Sequence, residues 1–125
     1  MITIEYAPSG DLEHCKVGIL VVENVHGSSS DALLNEKRTV ELEIRTAYQS
    51  MSRGEIKRIH PMDAYVEYYR KFGYSYHVLQ QLESVVKGRE IPGVIPLVTA
   101  MFMAELKNMI LTVGHDLSNW NSHSK

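Results

Sequence analysis

Residues 76–104, YHVLQQLESVVKGREIPGVIPLVTAMFMA, decide the fold, because they encode two apolar helices joined by a short charged loop. Apolar side chains recur at threes and fours over residues 76–87, which predicts a helix that ends at Gly88. Residues 89–93 form the predicted loop. Over residues 96–111, apolar side chains lie nearly all round the next predicted helix. A helix of that kind belongs at the centre of a fold or at an interface.

Two further helices are predicted upstream of this stretch. The first covers residues 31–52, with Ser30 as its N-cap and the Arg-Gly dipeptide at residues 53–54 as its stop. The second begins at Pro61, which suits the first turn of a helix, and ends at Gly73. Four predicted helices therefore account for most of the chain.

The N-terminal part of the chain has the two-residue period of β-structure. Ile2, Ile4 and Tyr6 alternate with polar residues, and a turn follows. Residues 16–25 then carry a β-branched run typical of a strand that is covered on both faces. We therefore predict an α+β fold in a single domain, residues 1–125, with short N-terminal strands followed by about four helices. Because two strands alone make a marginal sheet, we expect that some strands of this fold are missing or lie in a partner.

Composition and charge exclude several classes of protein. The 125 residues contain 13 Lys and Arg against 15 Asp and Glu, and this net charge of −2 does not fit a dedicated DNA-binding domain. The single cysteine, Cys15, excludes an intramolecular disulfide and a cysteine-based zinc site. The longest near-apolar run, residues 93–104, is too short to span a bilayer. We expect a cytoplasmic protein without membrane, DNA, metal or cofactor partners.

Familiar catalytic motifs are missing from the sequence. It has no Gly-rich phosphate loop, no Gly-x-Ser-x-Gly elbow and no His-Glu-x-x-His helix. Imidazole and thiolate groups can bind zinc or copper, but no pair here has the spacing of a ligand set. Surface or capping roles are the alternative for the histidines. These are His14, His26, His60, His77, His115 and His123.

A tyrosine-rich stretch with interleaved cations admits two interpretations. Aromatic rings and cations together can stack on the bases of single-stranded RNA and neutralise its phosphates. However, Tyr65, Tyr69 and Phe72 share one helical face, as core or interface packing produces. The whole stretch comprises Tyr65, Tyr68, Tyr69, Phe72, Tyr74 and Tyr76, with Arg70 and Lys71 between them.

Several short motifs within residues 61–117 resemble a known family in their order and spacing. They are Tyr69-Arg70-Lys71-Phe72-Gly73, Val85-Val86-Lys87-Gly88, Ile91-Pro92, Pro96-Leu97-Val98 and Val113-Gly114-His115-Asp116-Leu117. The family is the B3/B4 domain of the phenylalanyl-tRNA synthetase β subunit, together with the stand-alone proteins built on that domain. In the synthetase, this domain carries the site that hydrolyses tyrosine wrongly attached to the phenylalanine tRNA.

The resemblance implies an incomplete B3/B4-like domain that binds tRNA or an aminoacyl group, with aminoacyl-tRNA editing hydrolysis as a further activity. His115 and Asp116 are the candidate catalytic residues, and Arg70, Lys87 and Arg89 are candidates for substrate binding. The alternative is a noncatalytic module that self-associates through its apolar helices, or a truncated fragment without activity. The apolar last helix leads us to expect a homo-oligomer.

We also predict a pocket against the last helix. Val98, Met101 and Phe102 form its apolar wall, while residues 87–93 and 115–116 form its rim, because these segments precede and follow that helix. Phe102 stands where the family carries a polar residue, so the pocket suits an aromatic amino acid such as free phenylalanine or tyrosine. The simpler interpretation of residues 87–93 is a helix stop followed by a solvated turn.

Overall fold

Five helices make up the regular secondary structure of residues 17–114, which are the residues that this computed structural model describes. In chain order they are α1 (Asp31–Tyr48), α2 (Arg53–Lys57), α3 (Met62–Arg70), α4 (His77–Val86) and α5 (Pro96–Asn108). The helices α1, α4 and α5 pack against one another, while α2 packs against both α3 and α4. None of these five helices combines the length and apolarity needed to cross a bilayer.

The predicted α+β fold, and with it the incomplete B3/B4-like architecture, is wrong for residues 17–114, which contain no β-strand. The β-branched run pairs with no neighbouring strand, and its apolar side chains are exposed. A strand is stable only beside a partner strand, and β-branched residues alone do not supply one. The strand predicted at residues 2–6 lies outside the described residues. The exposed side chains of the run are Val17, Ile19, Leu20, Val21, Val22 and Val25.

The first predicted helix begins where the sequence indicated and ends earlier. The Leu33 N–H donates to Ser30 Oγ at 3.1 Å, which confirms the predicted N-cap. The helix α1 ends at Tyr48 because Ser52 caps a new helix. Ser52 Oγ accepts a hydrogen bond from the Glu55 N–H at 3.2 Å and lies at the same distance from Glu55 Oε1. The dipeptide predicted as a stop is therefore the first turn of α2.

The other helix boundaries follow the predicted glycines and prolines. Gly73 and Gly88 have φ angles of 75° and 111°, a left-handed conformation in which glycine is unstrained, and they follow α3 and α4. The helix α5 begins at Pro96, as predicted. It ends before residue 111 because Met109 itself adopts a left-handed conformation, with φ at 58°.

The centre of the fold is occupied by α4, which packs against α1, α2 and α5. The central position considered for the last helix is wrong, since Leu97, Ala100 and Ala104 of α5 are exposed. An interface, the other position considered for that helix, stays a prediction. The α4 side chains that form the middle of the core are Val78, Leu79, Leu82 and Val85, none more than 3% exposed.

Candidate functional site

A groove between α2, the end of α3 and the start of α4 gathers three cationic side chains, and we call it the cationic groove. Its volume is about 320 Å³, within the range of small-ligand pockets. None of the described residues that line it is acidic. The lining residues are Arg53, Lys57, Val66, Arg70, Gly73, Tyr74, Ser75, Tyr76 and Leu79.

Local structure explains why these cations converge. Arg53 and Lys57 are four residues apart on α2, so they lie on the same side of that helix. Arg70 is the last residue of α3. Gly73, with its positive φ, then turns the chain back, and the Tyr74 N–H donates to the Tyr69 carbonyl at 3.0 Å. This turn places residues 73–76 opposite α2.

Of the three cations in the groove, Arg53 pairs with Glu83, whereas Arg70 and Lys57 have no strong ion pair among the described residues. Arg70 Nη1 lies 3.7 Å from Glu67 Oε2, and both of these side chains are 68% exposed, so water screens the pair strongly. Lys57 has no ion pair within residues 17–114. Residues 53–71 carry five Lys and Arg against three Asp and Glu, although the whole chain has a net charge of −2. The cationic groove is therefore a local basic region on a mildly acidic protein.

The aromatic residues divide between the core and the surface. Tyr65 and Tyr76 stack with ring centroids 4.7 Å apart and planes 8° apart, and Tyr69 lies 5.2 Å from Tyr76. Core packing is thus the correct interpretation for Tyr65 and Tyr69. Core packing is wrong for Phe72, which is 58% exposed, while interface packing of that ring stays a prediction. Tyr74 is 70% exposed and lines the cationic groove, so its ring face is open to a base.

Burial changes the acidity of two tyrosines in this cluster. It raises the pKa of Tyr76 well above the usual tyrosine value, and the charges of Tyr65 and Glu105 raise that pKa further. Burial also raises the pKa of Tyr69. The Tyr76 hydroxyl donates to the Met109 carbonyl at 3.2 Å, which ties the floor of the groove to the end of α5. These two rings are neutral structural elements near neutral pH.

A second groove, of about 260 Å³, adjoins the first. Arg53 lines both grooves and forms an ion pair with Glu83, which lines the second groove only. The predicted binding residue Lys87 also lies in this second groove, so Arg53 lies between it and Arg70. The lining residues of the second groove are Gln49, Met51, Arg53, Ile56, Glu83, Val86 and Lys87.

The α4–α5 loop, predicted as a pocket rim, is held against α1. Arg45 Nε donates to the Val85 carbonyl at 2.9 Å, and Arg45 Nη2 donates to the Arg89 carbonyl at 3.2 Å. Thr99 Oγ1 donates to the Pro92 carbonyl at 2.8 Å. The backbone of Arg89 is thus part of the scaffold, and Arg89 lines neither groove.

Two buried charges complete this attachment. Lys37 Nζ lies 3.1 Å from Glu41 Oε2, and both side chains are less than a tenth exposed. The same carboxylate oxygen accepts a hydrogen bond from the Ile91 N–H at 2.6 Å. The methylenes of Lys37 also pass close to Gly93. We call Lys37, Glu41 and Arg45 the α1 clamp. The i, i+4 spacing of Lys37 and Glu41 was the available sequence signal, but it is also common on exposed helices.

The pocket predicted between the α5 wall and its rim is neither of these two grooves, and it stays a prediction. Phe102 packs against the hydrophobic core, while Val98 and Met101 are half-buried. None of the three lines either groove. The rim residues His115 and Asp116 lie outside the described part of the chain.

A further polar pair joins α4 to α5 and was missed at the sequence level. His77 Nε2 lies 3.4 Å from Glu105 Oε1, and the Thr112 N–H donates to the same oxygen at 3.4 Å. The imidazole is 46% exposed, whereas the carboxylate is buried. Residues 28 positions apart carry no sequence pattern that would pair them. Within residues 17–114, no cluster of three or more His, Cys, Asp or Glu side chains is arranged to hold a metal ion.

Comparisons with protein-family models, curated proteins and solved structures each find no match to this chain. The resemblance to the B3/B4 domain therefore stays a prediction. The chemistry of the site rests on its own residues, which are guanidinium and ammonium groups beside an exposed phenol ring. Guanidinium groups bind phosphates through paired N–H donors, ammonium groups attract them as point charges, and an exposed aromatic ring stacks on bases.

Proposed function

We propose that this chain binds single-stranded RNA, such as the unpaired acceptor end of a tRNA, through the cationic groove. The observation that carries the proposal is the presence of three cations and one exposed tyrosine in a single groove whose described lining residues include no acidic one. Arg53, Lys57 and Arg70 would neutralise phosphates, and Tyr74 would stack on a base. A groove of about 320 Å³ has room for part of a strand rather than for a duplex.

The sequence resemblance points to the same class of ligand. The Tyr69-Arg70-Lys71-Phe72-Gly73 motif, one of those that resemble the B3/B4 family, forms the end of α3 and the turn beside this groove. That family acts on tRNA, so the resemblance and the local charge favour RNA over other polyanions. Lys87 belongs to the second groove, and Arg89 has no direct part in this proposal.

Fluorescence anisotropy with a labelled tRNA and a labelled single-stranded RNA tests this proposal. Arg70→Ala should reduce the dependence of log affinity on log salt by about 0.7 for the single strand, because one phosphate contact is lost. Lys107→Ala, which removes an exposed cation from α5, is the matched control and should leave that slope unchanged. Equal slopes for the two variants would contradict the proposed site.

The stacking part of the proposal has its own matched pair of variants. Tyr74→Ala should weaken binding of the single-stranded RNA by about tenfold, since stacking on one base is worth roughly 1–3 kcal/mol. Phe72→Ala removes a comparably exposed ring that does not line the groove. If both changes weaken binding equally, Tyr74 has no specific role.

Editing hydrolysis remains a separate proposal that rests on the resemblance alone. A deacylation assay with mischarged tRNA would compare the wild-type chain with His115→Ala and His77→Ala. His77 is included because a buried carboxylate orients its exposed imidazole, as a general base requires. Release at the uncatalysed rate by the wild-type chain would exclude the activity without affecting the RNA-binding proposal.

We propose self-association as a second, noncatalytic function, favoured by exposed apolar residues immediately before and at the start of α5. Val94 and Ile95 are 77% and 59% exposed, and Leu97 follows at 43%. No charged residue occurs in residues 91–104, so two copies of this face would meet without repulsion across a two-fold axis. Sedimentation equilibrium tests it: Leu97→Glu should dissociate a wild-type dimer, whereas Leu42→Glu, at an exposed leucine of α1, should not. A monomeric wild-type chain at about 100 μM would exclude this function.

A further inference from the structure

We infer that the second groove continues the RNA site and that Glu83 separates the two grooves until a phosphate replaces it on Arg53. This inference rests on the proposed RNA binding and adds to it a longer site and a residue that limits its affinity. The site would then follow Lys57 and Arg70 in the cationic groove, Arg53 at the junction, and Lys87 in the second groove.

The position of Arg53 is the main geometric argument. Among the described residues, Arg53 alone lines both grooves, so a strand crossing from one to the other must pass it. Its guanidinium is paired with the Glu83 carboxylate, and the two side chains are 47% and 20% exposed. A pair that is partly exposed in this way exchanges partners readily, because water solvates both charges when they separate.

The chemistry of the pair gives the second argument. A phosphate presents oxygens to a guanidinium in the same way as a carboxylate does, so Glu83 occupies the place that a phosphate would take on Arg53. Glu83 is also the only acidic side chain among the described residues that line either groove. The negative charge of Glu83 therefore repels a polyanion at the point where the two grooves meet.

The length of the bound RNA should reveal this arrangement. A short strand fills the cationic groove and is indifferent to Lys87, whereas a longer strand crosses Arg53 and reaches Lys87. Anisotropy titrations with labelled tri-uridine and nona-uridine at several salt concentrations make this comparison. Lys87→Ala should reduce the salt slope for nona-uridine by about 0.7 and leave that for tri-uridine unchanged.

Glu83→Gln should raise the affinity for nona-uridine by about threefold, since a partly exposed ion pair competes only weakly with the phosphate. Glu43→Gln removes an acidic charge from the exposed side of α1 and is the matched control. Urea unfolding of each variant shows whether it remains folded. Glu83→Asp keeps the negative charge on a shorter side chain. This variant should bind nona-uridine no more tightly than the wild-type chain does.

The outcomes separate the two proposals. If Arg70→Ala weakens binding of both oligonucleotides while Lys87→Ala and Glu83→Gln change neither, the cationic groove binds RNA and the second groove does not. That result overturns the inference and leaves the proposed function intact. If Glu43→Gln raises the affinity as much as Glu83→Gln does, the effect is one of net charge, and the specific role of Glu83 is overturned. If Arg70→Ala has no effect on either oligonucleotide, the proposed function itself fails.

Discussion

The chain keeps charged side chains in two contrasting places, the α1 clamp and the cationic groove. In the clamp, Lys37 and Glu41 are buried, and Glu41 also binds the Ile91 N–H. In the groove, Lys57 has no ion pair within the described chain, and Arg70 has a weak, exposed one. A buried charge must be satisfied by the protein itself, whereas an exposed charge remains open to a ligand. A cluster of charged side chains is therefore not by itself evidence of a binding site. The two regions differ in whether those side chains are buried or exposed.

The largest effect is expected when the clamp loses its carboxylate. Glu41→Ala leaves Lys37 buried without its partner and removes the acceptor of the Ile91 N–H, so the free energy of unfolding should fall by roughly 3–5 kcal/mol. Urea denaturation measures this. Glu67→Ala removes a carboxylate paired with Arg70 in water and should change stability by less than about 0.5 kcal/mol. Similar losses of unfolding free energy in Glu41→Ala and Glu67→Ala would contradict the proposed difference between the clamp and the groove.

A smaller loss of stability is expected when Arg45, another member of the clamp, is replaced. Arg45→Ala removes two charge-assisted hydrogen bonds to the carbonyls of Val85 and Arg89 and should destabilise the fold by about 2 kcal/mol. Hydrogen exchange should accelerate at the amides of the α4–α5 loop. Arg38→Ala, which removes a guanidinium that bonds to the exposed Asn35 side chain, is the matched control. Unchanged exchange in the loop would mean that Arg45 does not hold it.

Tyr76 connects the cationic groove to the end of α5, because it lines that groove and its hydroxyl bonds to the Met109 carbonyl. Tyr76→Phe removes the hydrogen bond to Met109 and should cost about 1 kcal/mol at neutral pH. Burial raises the pKa of Tyr76, so the folded chain keeps a proton that the unfolded chain loses above about pH 10. The contribution of this hydroxyl is therefore complete below pH 10 and declines as the pH rises further.

Stability measurements across this range test the sign of the effect. The difference in unfolding free energy between the wild-type chain and Tyr76→Phe should shrink between pH 9 and pH 11 as unfolded Tyr76 ionises. Tyr74→Phe, at an exposed phenol in the same groove, is the matched control. A difference that grows with pH would contradict the raised pKa of Tyr76.

The smallest effect on stability is expected in the cationic groove. Arg70→Ala should change the free energy of unfolding by less than about 0.5 kcal/mol, because its ion pair with Glu67 is exposed. The same variant should lower the affinity for RNA. Urea unfolding and RNA anisotropy, measured on one preparation of Arg70→Ala, test both expectations. A large loss of stability would show that Arg70 supports the fold, as Arg45 does.

Local signals in the sequence determined where most helices begin and end. Ser30 caps α1, Pro96 opens α5, and Gly73 and Gly88 follow α3 and α4. Each of these residues interacts with backbone groups within about four positions along the chain. A short segment of sequence is therefore enough to predict the helix boundary. Short segments also identified the aromatic and cationic stretch from which Tyr74 and Arg70 come.

Only the tertiary structure decided which residues meet. Whether residues 17–25 form a strand depends on a partner strand, and residues 17–114 supply none. Arg45 acts as a clamp because a carbonyl 40 residues away comes within 2.9 Å of it, and Arg53 joins two grooves because α2 packs against α4. Lys37 and Arg70 look equally polar in the sequence, but packing buries one and leaves the other in water. Burial and long-range contacts arise from the packing of whole helices, and a local pattern of side chains does not contain that information.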